Sequence, residues 1–329
     1  MLLAKNGYGK TTLLECVHGL FGLMADPVAG RFASPGPGCA QLDVRATWTI
    51  DGRTQTVVLS VWTGTQTPLV VWSSDDLEAA QASFWGKLGL ESTHSGVSLF
   101  DDTDDLGRRL HRTILEARGA APETLFGNDQ DMPTVLFFPA DRRLARPEDT
   151  RRVERPDGFV YQPAHCFASD GPEWGTTIDN LLVWLQWLDD GRLNELLDFV
   201  NARLFEGESR KTIRVPQRQV LLTYVSTSAG DHPLTDLSHG ERALLQLYVR
   251  IACNMTSNTI VLIDEVEMHL HSNWMFRMFE GLKSLLRKIP ALSIVFTTHN
   301  RELIRVFDHQ LKEEGLVKGG YLIEDGLDR

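Results

Sequence analysis

The sequence predicts an α/β fold with a mostly parallel core sheet, an antiparallel β lobe and a small helical lobe, on three observations. The first is Ile260-Val261-Leu262-Ile263 directly ahead of Asp264 and Glu265. Four apolar residues, three of them β-branched, describe a strand buried on both faces, and the two acids then fall in the crevice beyond its carboxyl end. The second is a helix start at Ser238. Glu241 stands at capping-box spacing from it, and Leu244, Leu247, Tyr248 and Ile251 recur at helical intervals. The third is the stretch 40–73, where runs 41–50, 54–62 and 69–72 and an Asp51-Gly52 turn read as an antiparallel meander.

A chain of 329 residues, 42% hydrophobic, can bury one large core or two modest ones. No apolar run reaches the roughly 18 residues that span a bilayer, and the first residues lack the pattern of a secretion signal, so the expectation is a cytoplasmic protein with no membrane. Cys16, Cys39, Cys166 and Cys253 are scattered, without zinc spacing or a disulfide framework. The net charge of -11 excludes a wholly nucleic-acid-binding surface but not a local basic patch.

In order along the chain, Met1-Leu2-Leu3 reads as a strand that runs into Ala4-Lys5-Asn6-Gly7-Tyr8-Gly9-Lys10-Thr11-Thr12 and a helix over 13–23. Strand, glycine-bearing loop and helix form a phosphate loop, although Ala4 stands where the pattern wants glycine. Backbone amides of Asn6, Gly7, Gly9 and Thr12 and the Lys10 ammonium would cradle phosphates, and the Thr11 hydroxyl would ligate magnesium. After the meander, 75–88 and 106–117 read as helices, separated by a solvated loop with Asp101, Asp102, Asp104 and Asp105. Residues 134–138 are a buried strand ended by Pro139. Residues 141–155 carry Arg142, Arg143, Arg146, Arg151, Arg152 and Arg155 with few apolar residues, and read as an irregular, exposed excursion. Helices follow at 178–188 and 193–205, with Trp184, Trp187 and Phe199 read as core. Strands at 212–215 and 219–226 lead to the Ser238 helix and its Gly240, which allows an anion close approach to the first amides. Beyond Glu265 come an amphipathic helix at 274–289 stopped by Pro290, a strand at 292–297 and a last one at 321–323.

The ordered set of phosphate loop, Leu237-Ser238-His239-Gly240-Glu241, strand ending Asp264-Glu265, and strand ending Thr297-Thr298-His299 resembles the ABC-type ATPase heads of the P-loop NTPase fold. These are their Walker A, signature, Walker B and switch-histidine elements. Asp264 to His271 is similar to the soluble heads of the RecF, SMC and overcoming-lysogenisation-defect (OLD) group, which includes ATPases of anti-phage defence systems. The resemblance implies a single domain over 1–329: phosphate loop and β lobe in 1–138, excursion and helical lobe in 139–210, and signature, Walker B and switch-histidine core in 211–329. It also implies a homodimer that sandwiches ATP and Mg2+, with Ser238 and Gly240 meeting the γ-phosphate of the opposite subunit. Lys10 and Thr11 would serve the phosphates and metal, Asp264 the magnesium, Glu265 the attacking water, and His299 the γ-phosphate. Two departures stand out. No glutamine follows 134–138, so Asp141 or Arg142 is left for that coupling role, and related heads carry strands before the phosphate loop, so an upstream start is expected.

The function expected on these grounds is a soluble, magnesium-dependent ATP hydrolase whose dimer regulates a separate effector protein or a nucleic-acid transaction, in anti-phage defence or DNA maintenance including repair. The alternatives are the ATP-binding subunit of a membrane transporter, against which the 267–271 text argues, and an ATP-bound scaffold with little hydrolysis.

Overall fold

The computed structural model describes residues 2–3, 9–24, 38–50, 52–93, 96–127, 131–142, 144, 146–148, 151–168, 171, 173–205, 211–268, 270–289, 291–305, 309 and 323–324. Strand β1 (Leu2–Leu3) precedes helix α1 (Lys10–Leu23), and β2 (Ala40–Ile50) and β3 (Arg53–Thr63) form a long hairpin. Next come α2 (Ser74–Ala79), β4 (Phe84–Thr93), β5 (Gly96–Leu99) and α3 (Asp105–Ala117). Strands β6 (Pro133–Phe138) and β7 (Ala164–Cys166) precede α4 (Ile178–Leu188) and α5 (Arg192–Leu204). Short strands β8 (Thr212–Ile213), β9 (Tyr224–Thr227) and β10 (Gly230–Pro233) lead to α6 (His239–Asn254). The chain continues through β11 (Asn258–Ile263), α7 (Ser272–Lys288) and β12 (Ser293–Phe296), and β13 (Ile323–Glu324) pairs in parallel with β1.

The centre is a parallel sheet in the order β12-β11-β6-β7. All six residues of β6 are buried, which is why 133–138 reads as continuous apolar text rather than alternation. The pleat divides those residues between two cores. Val135, Phe137 and Leu262 face a cluster with α1 and the β lobe, whereas Leu136, Phe138, Val261 and Ile263 face a cluster built largely from α4, α5, α6 and α7. Each such side chain contributes about 1.5–3 kcal/mol when fully buried, so the sheet is held from both sides. The register sets Ile263 opposite both Phe138 and Phe296, and the residues after these three strand ends therefore emerge together.

Several expectations are corrected. Residues 75–88 are not one helix. The Ser73–Asp76 capping box starts α2, which ends after six residues, and the chain then extends as β4. Gly86 would cost that helix about 1 kcal/mol, and Gly89, just past it, makes room in β4. A Cβ on Gly89 would lie 2.6 Å from the Trp62 ring. Because α2 is a crossover, β4 pairs with β3 in parallel, and the lobe order β2-β3-β4-β5 is mixed rather than an antiparallel meander.

Residues 69–72 form no strand. The Gln41 side chain occupies the Val70 main chain in place of a neighbouring strand, accepting from its amide at 2.9 Å and donating to its carbonyl at 3.0 Å. Asp104 is not a solvated acid, since it caps α3 by accepting from the Gly107 amide at 2.6 Å. Trp187 is 61% exposed rather than core, stacked on the partly buried Trp184.

The described residues of the 141–155 segment are irregular as expected but not uniformly exposed, because Arg142, Leu144 and Pro147 are buried. Strand β7, unforeseen, lies just beyond it. The strand read over 219–226 shortens to β9, and β10 completes a three-stranded antiparallel sheet with β8 and β9. No helix among the described residues is long and apolar enough to cross a membrane.

Candidate functional site

Asn6 and Gly7 lie outside the described residues, and the site is built from Gly9 onward. Gly9 takes the left-handed conformation, φ 79°, that turns the loop into α1, and no side chain caps the helix start. The first-turn amides of α1 point toward whatever lies before the helix. Thr11, in that first turn, donates its hydroxyl to Asp264 Oδ2 at 2.8 Å, joining the helix start to the end of β11. Thr297, just past β12, donates to Asp264 Oδ1 at 2.6 Å. Both oxygens of a carboxylate that is only 4% exposed are thus held by hydroxyl donors.

Thr297 also fixes the next residue. Its Oγ accepts the Glu265 amide at 2.8 Å, and Glu265 sits at φ 42°, a left-handed conformation rare for a residue with a side chain. Such a backbone costs on the order of 1–3 kcal/mol and persists only where its surroundings hold it. Those surroundings include Arg142. Its guanidinium is 7% exposed and donates to the Asp264 carbonyl at 2.7 Å, the Glu265 carbonyl at 3.2 Å and the Pro139 carbonyl at 3.0 Å. Burial pulls Arg142 down to about 10, against the pull of Asp264, Glu267 and Glu265, so it stays charged near neutrality. The Glu267 carboxylate in turn accepts the His299 amide.

The result is a cavity of 330 Å³ lined by Gly9 to Thr12, Asp264, Glu265 and His299. Seven residues read from three separate motifs thus share one wall: the ends of β11 and β12 bring Asp264, Glu265 and His299 together, and the Thr11 hydrogen bond to Asp264 adds the start of α1. Ser238 and Gly240 do not line it. Ser238 is the exposed N-cap of α6, with the reciprocal capping box to Glu241 complete and Lys211 paired to the same carboxylate. Thr297 and Glu267 carry no role in a reading of motifs alone, and Arg142 shares with Asp141 only the place where a glutamine was wanted. Thr297 could have been found from the parallel register, which places it beside Asp264, and Arg142 only as the residue left where a glutamine was wanted.

Residues 99–305, more than half of the chain, match the family described as "AAA domain, putative AbiEii toxin, Type IV TA system". The chain belongs to that family. An AAA domain of this family is an ATP-binding P-loop ATPase with an α/β fold, which agrees with a parallel sheet between helices and a cavity at its carboxyl edge. The matched span includes Asp264, Glu265, Ser238 and His299, and leaves out the phosphate loop and most of the β lobe. The donor set fits a magnesium ion. Thr11 and Asp264 bring a hydroxyl and a carboxylate within 2.8 Å of each other at the cavity wall, all-oxygen chemistry suited to a hard cation.

Proposed function

We propose that this chain is a magnesium-dependent ATP hydrolase that dimerises around ATP and uses hydrolysis to switch a separate effector or a nucleic-acid transaction. The observation that carries this reading is the convergence of Lys10, Thr11, Asp264, Glu265 and His299 on one cavity. In it the α1 amides and Lys10 would bind the β and γ phosphates, and Thr11 with Asp264 would hold magnesium, which when bound neutralises phosphate charge. Glu265 would take a proton from the attacking water as its oxygen bonds to the γ phosphorus and the bond to the β–γ bridging oxygen breaks. His299, at the exposed rim, would contact the γ-phosphate.

The start of α6 supports a shared site, because Ser238 is exposed there, beside a buried Gly240, and both stand outside their own subunit's cavity. A second subunit would supply Ser238 and Gly240 to that cavity. Control of a separate component accords with the family's description as part of a toxin–antitoxin system. The likeness of 264–271 to OLD-group heads supports a role in anti-phage defence. The exposed Arg146 and Arg152 give the excursion a surface for an acidic partner or a phosphate backbone.

Phosphate release measured with and without magnesium tests the activity. Glu265→Gln should keep ATP bound yet lose turnover on the order of a hundredfold or more. Unchanged turnover would remove Glu265 from that role. Mixing Lys10→Ala with Ser238→Arg chains, each inactive alone, should restore one intact site per mixed dimer. Full activity at a concentration where only monomer is present would end the shared-site reading.

A further inference from the structure

Arg142, four residues beyond the end of β6, does more than stand with Asp141 near the place where related heads carry glutamine. Arg142 leaves the sheet on the 139–142 turn and sends its side chain back under the β11 end. Its Nη1 lies 2.7 Å from the Asp264 carbonyl and 3.0 Å from the Pro139 carbonyl, with a longer 3.4 Å contact to the Phe138 carbonyl, and its Nη2 reaches the Glu265 carbonyl at 3.2 Å. All four acceptors are main-chain oxygens, with the Asp264, Glu267 and Glu265 carboxylates near enough to favour the guanidinium's charge. It fixes backbone direction. The peptide it holds most closely is the one that carries Glu265 at φ 42°, whose amide donates to the Thr297 hydroxyl.

We propose that Arg142 is a positioning residue for the Glu265 carboxylate, and that it ties ATP turnover to the placement of the chain leaving β6. The inference rests on the hydrolase reading above. The physical case is geometric. A carboxylate that must meet a water within hydrogen-bond reach loses effectiveness when its backbone relaxes by about 1 Å. Without the guanidinium the Asp264 carbonyl loses its 2.7 Å donor and the Glu265 carbonyl is left with the Met268 amide at 2.9 Å, and the strained turn is freer to relax toward ordinary φ. The same side chain is covalently part of the segment that continues through buried Leu144 to the exposed Arg146. A partner that displaces this segment would therefore withdraw the guanidinium from Asp264 and Glu265. Lysine, a point charge without a planar fork, cannot reproduce bonds to both carbonyls.

The test uses the whole chain and reads kcat, KM and ATP affinity separately. Arg142→Ala is expected to lower kcat by tenfold or more while the affinity for a fluorescent ATP analogue stays within about threefold of wild type. Arg142→Lys should fall between the two, and millimolar methylguanidinium should restore part of the Arg142→Ala turnover but none of the Glu265→Gln turnover. Arg142→Lys, which keeps charge and bulk, carries the test if the alanine variant does not fold. Wild-type kcat in either folded variant, or loss of affinity equal to the loss of kcat, overturns the positioning role while leaving the hydrolase intact. Absence of hydrolysis by the wild-type chain, with ATP still bound, overturns the hydrolase reading and this one with it.

Discussion

Thr297 carries two duties with one hydroxyl, donating to Asp264 at 2.6 Å and accepting the Glu265 amide at 2.8 Å. A side chain so used is replaceable by no isostere that lacks oxygen. Thr297→Val keeps the shape and β-propensity of the position but leaves a buried carboxylate oxygen and a buried amide short of a partner. The expected result is a folded protein whose turnover falls about ten- to hundredfold, since the acid at 264 and the strained peptide at 265 both lose their anchor. Phosphate release beside a thermal melt checks it. A kcat within twofold of wild type would show that Thr11 and Arg142 suffice to hold the two acids.

At the scale of elements, α3 docks end-on against β4 with almost no clearance. Asp104 accepts the Gly107 and Lys87 amides, its own amide donates to the Lys87 carbonyl at 3.1 Å, and a Cβ on Gly107 would lie 2.0 Å from that carbonyl. The atom in the way is backbone and cannot rotate aside. Gly107→Ala is therefore expected to destabilise the protein by about 1–3 kcal/mol or more, although alanine favours a helix over glycine. Denaturant melts of this variant against an alanine at Gly119 distinguish the causes. Gly119, unlike Gly107, has positive φ and has open space at its Cβ, so a conformational cost without a clash is expected there.

For the whole molecule, the interface of α1 with β7 holds two neutral histidines. Burial pushes His18 down to about 4, and burial with the nearby Arg250 and His18 charges pushes His165 down to about 3. Both folded values lie below the ordinary value of 6.5. The unfolded chain therefore binds protons first as pH falls. Their contribution to stability is complete above about 6.5 and shrinks from there toward 4, at up to roughly 1.4 kcal/mol per pH unit for each group. Melting temperature should decline below pH 6.5, ahead of the range where carboxylates protonate. His165→Phe, which keeps a ring against Phe167, should flatten that decline, and an unaltered slope would assign it to other groups.

The sequence by itself determined the elements whose cause is local or nearly so. Ser238 starts a helix because its side chain and that of Glu241 satisfy each other's backbone, and 260–263 is a central strand because four apolar residues in a row have no exposed face. The gathering of Asp264, Glu265 and His299 was legible too, because parallel strands deliver their carboxyl ends to one edge, and the Gly-Lys-Thr text of 9–11 marked the helix start that meets them. Tertiary structure alone decided what depends on contacts far apart in the chain. Gly89 belongs to a strand because Trp62 fills the space beside it, and 69–72 stays out of the sheet because the Gln41 side chain takes its place. Arg142 is buried, in a stretch that reads as solvated, because carbonyls of residues 122 and 123 positions further along the chain form its acceptors. A run of charges states only that the side chains are polar. Which of them finds a buried set of oxygens is settled by the packing of β6 against β11 and by nothing in the local text.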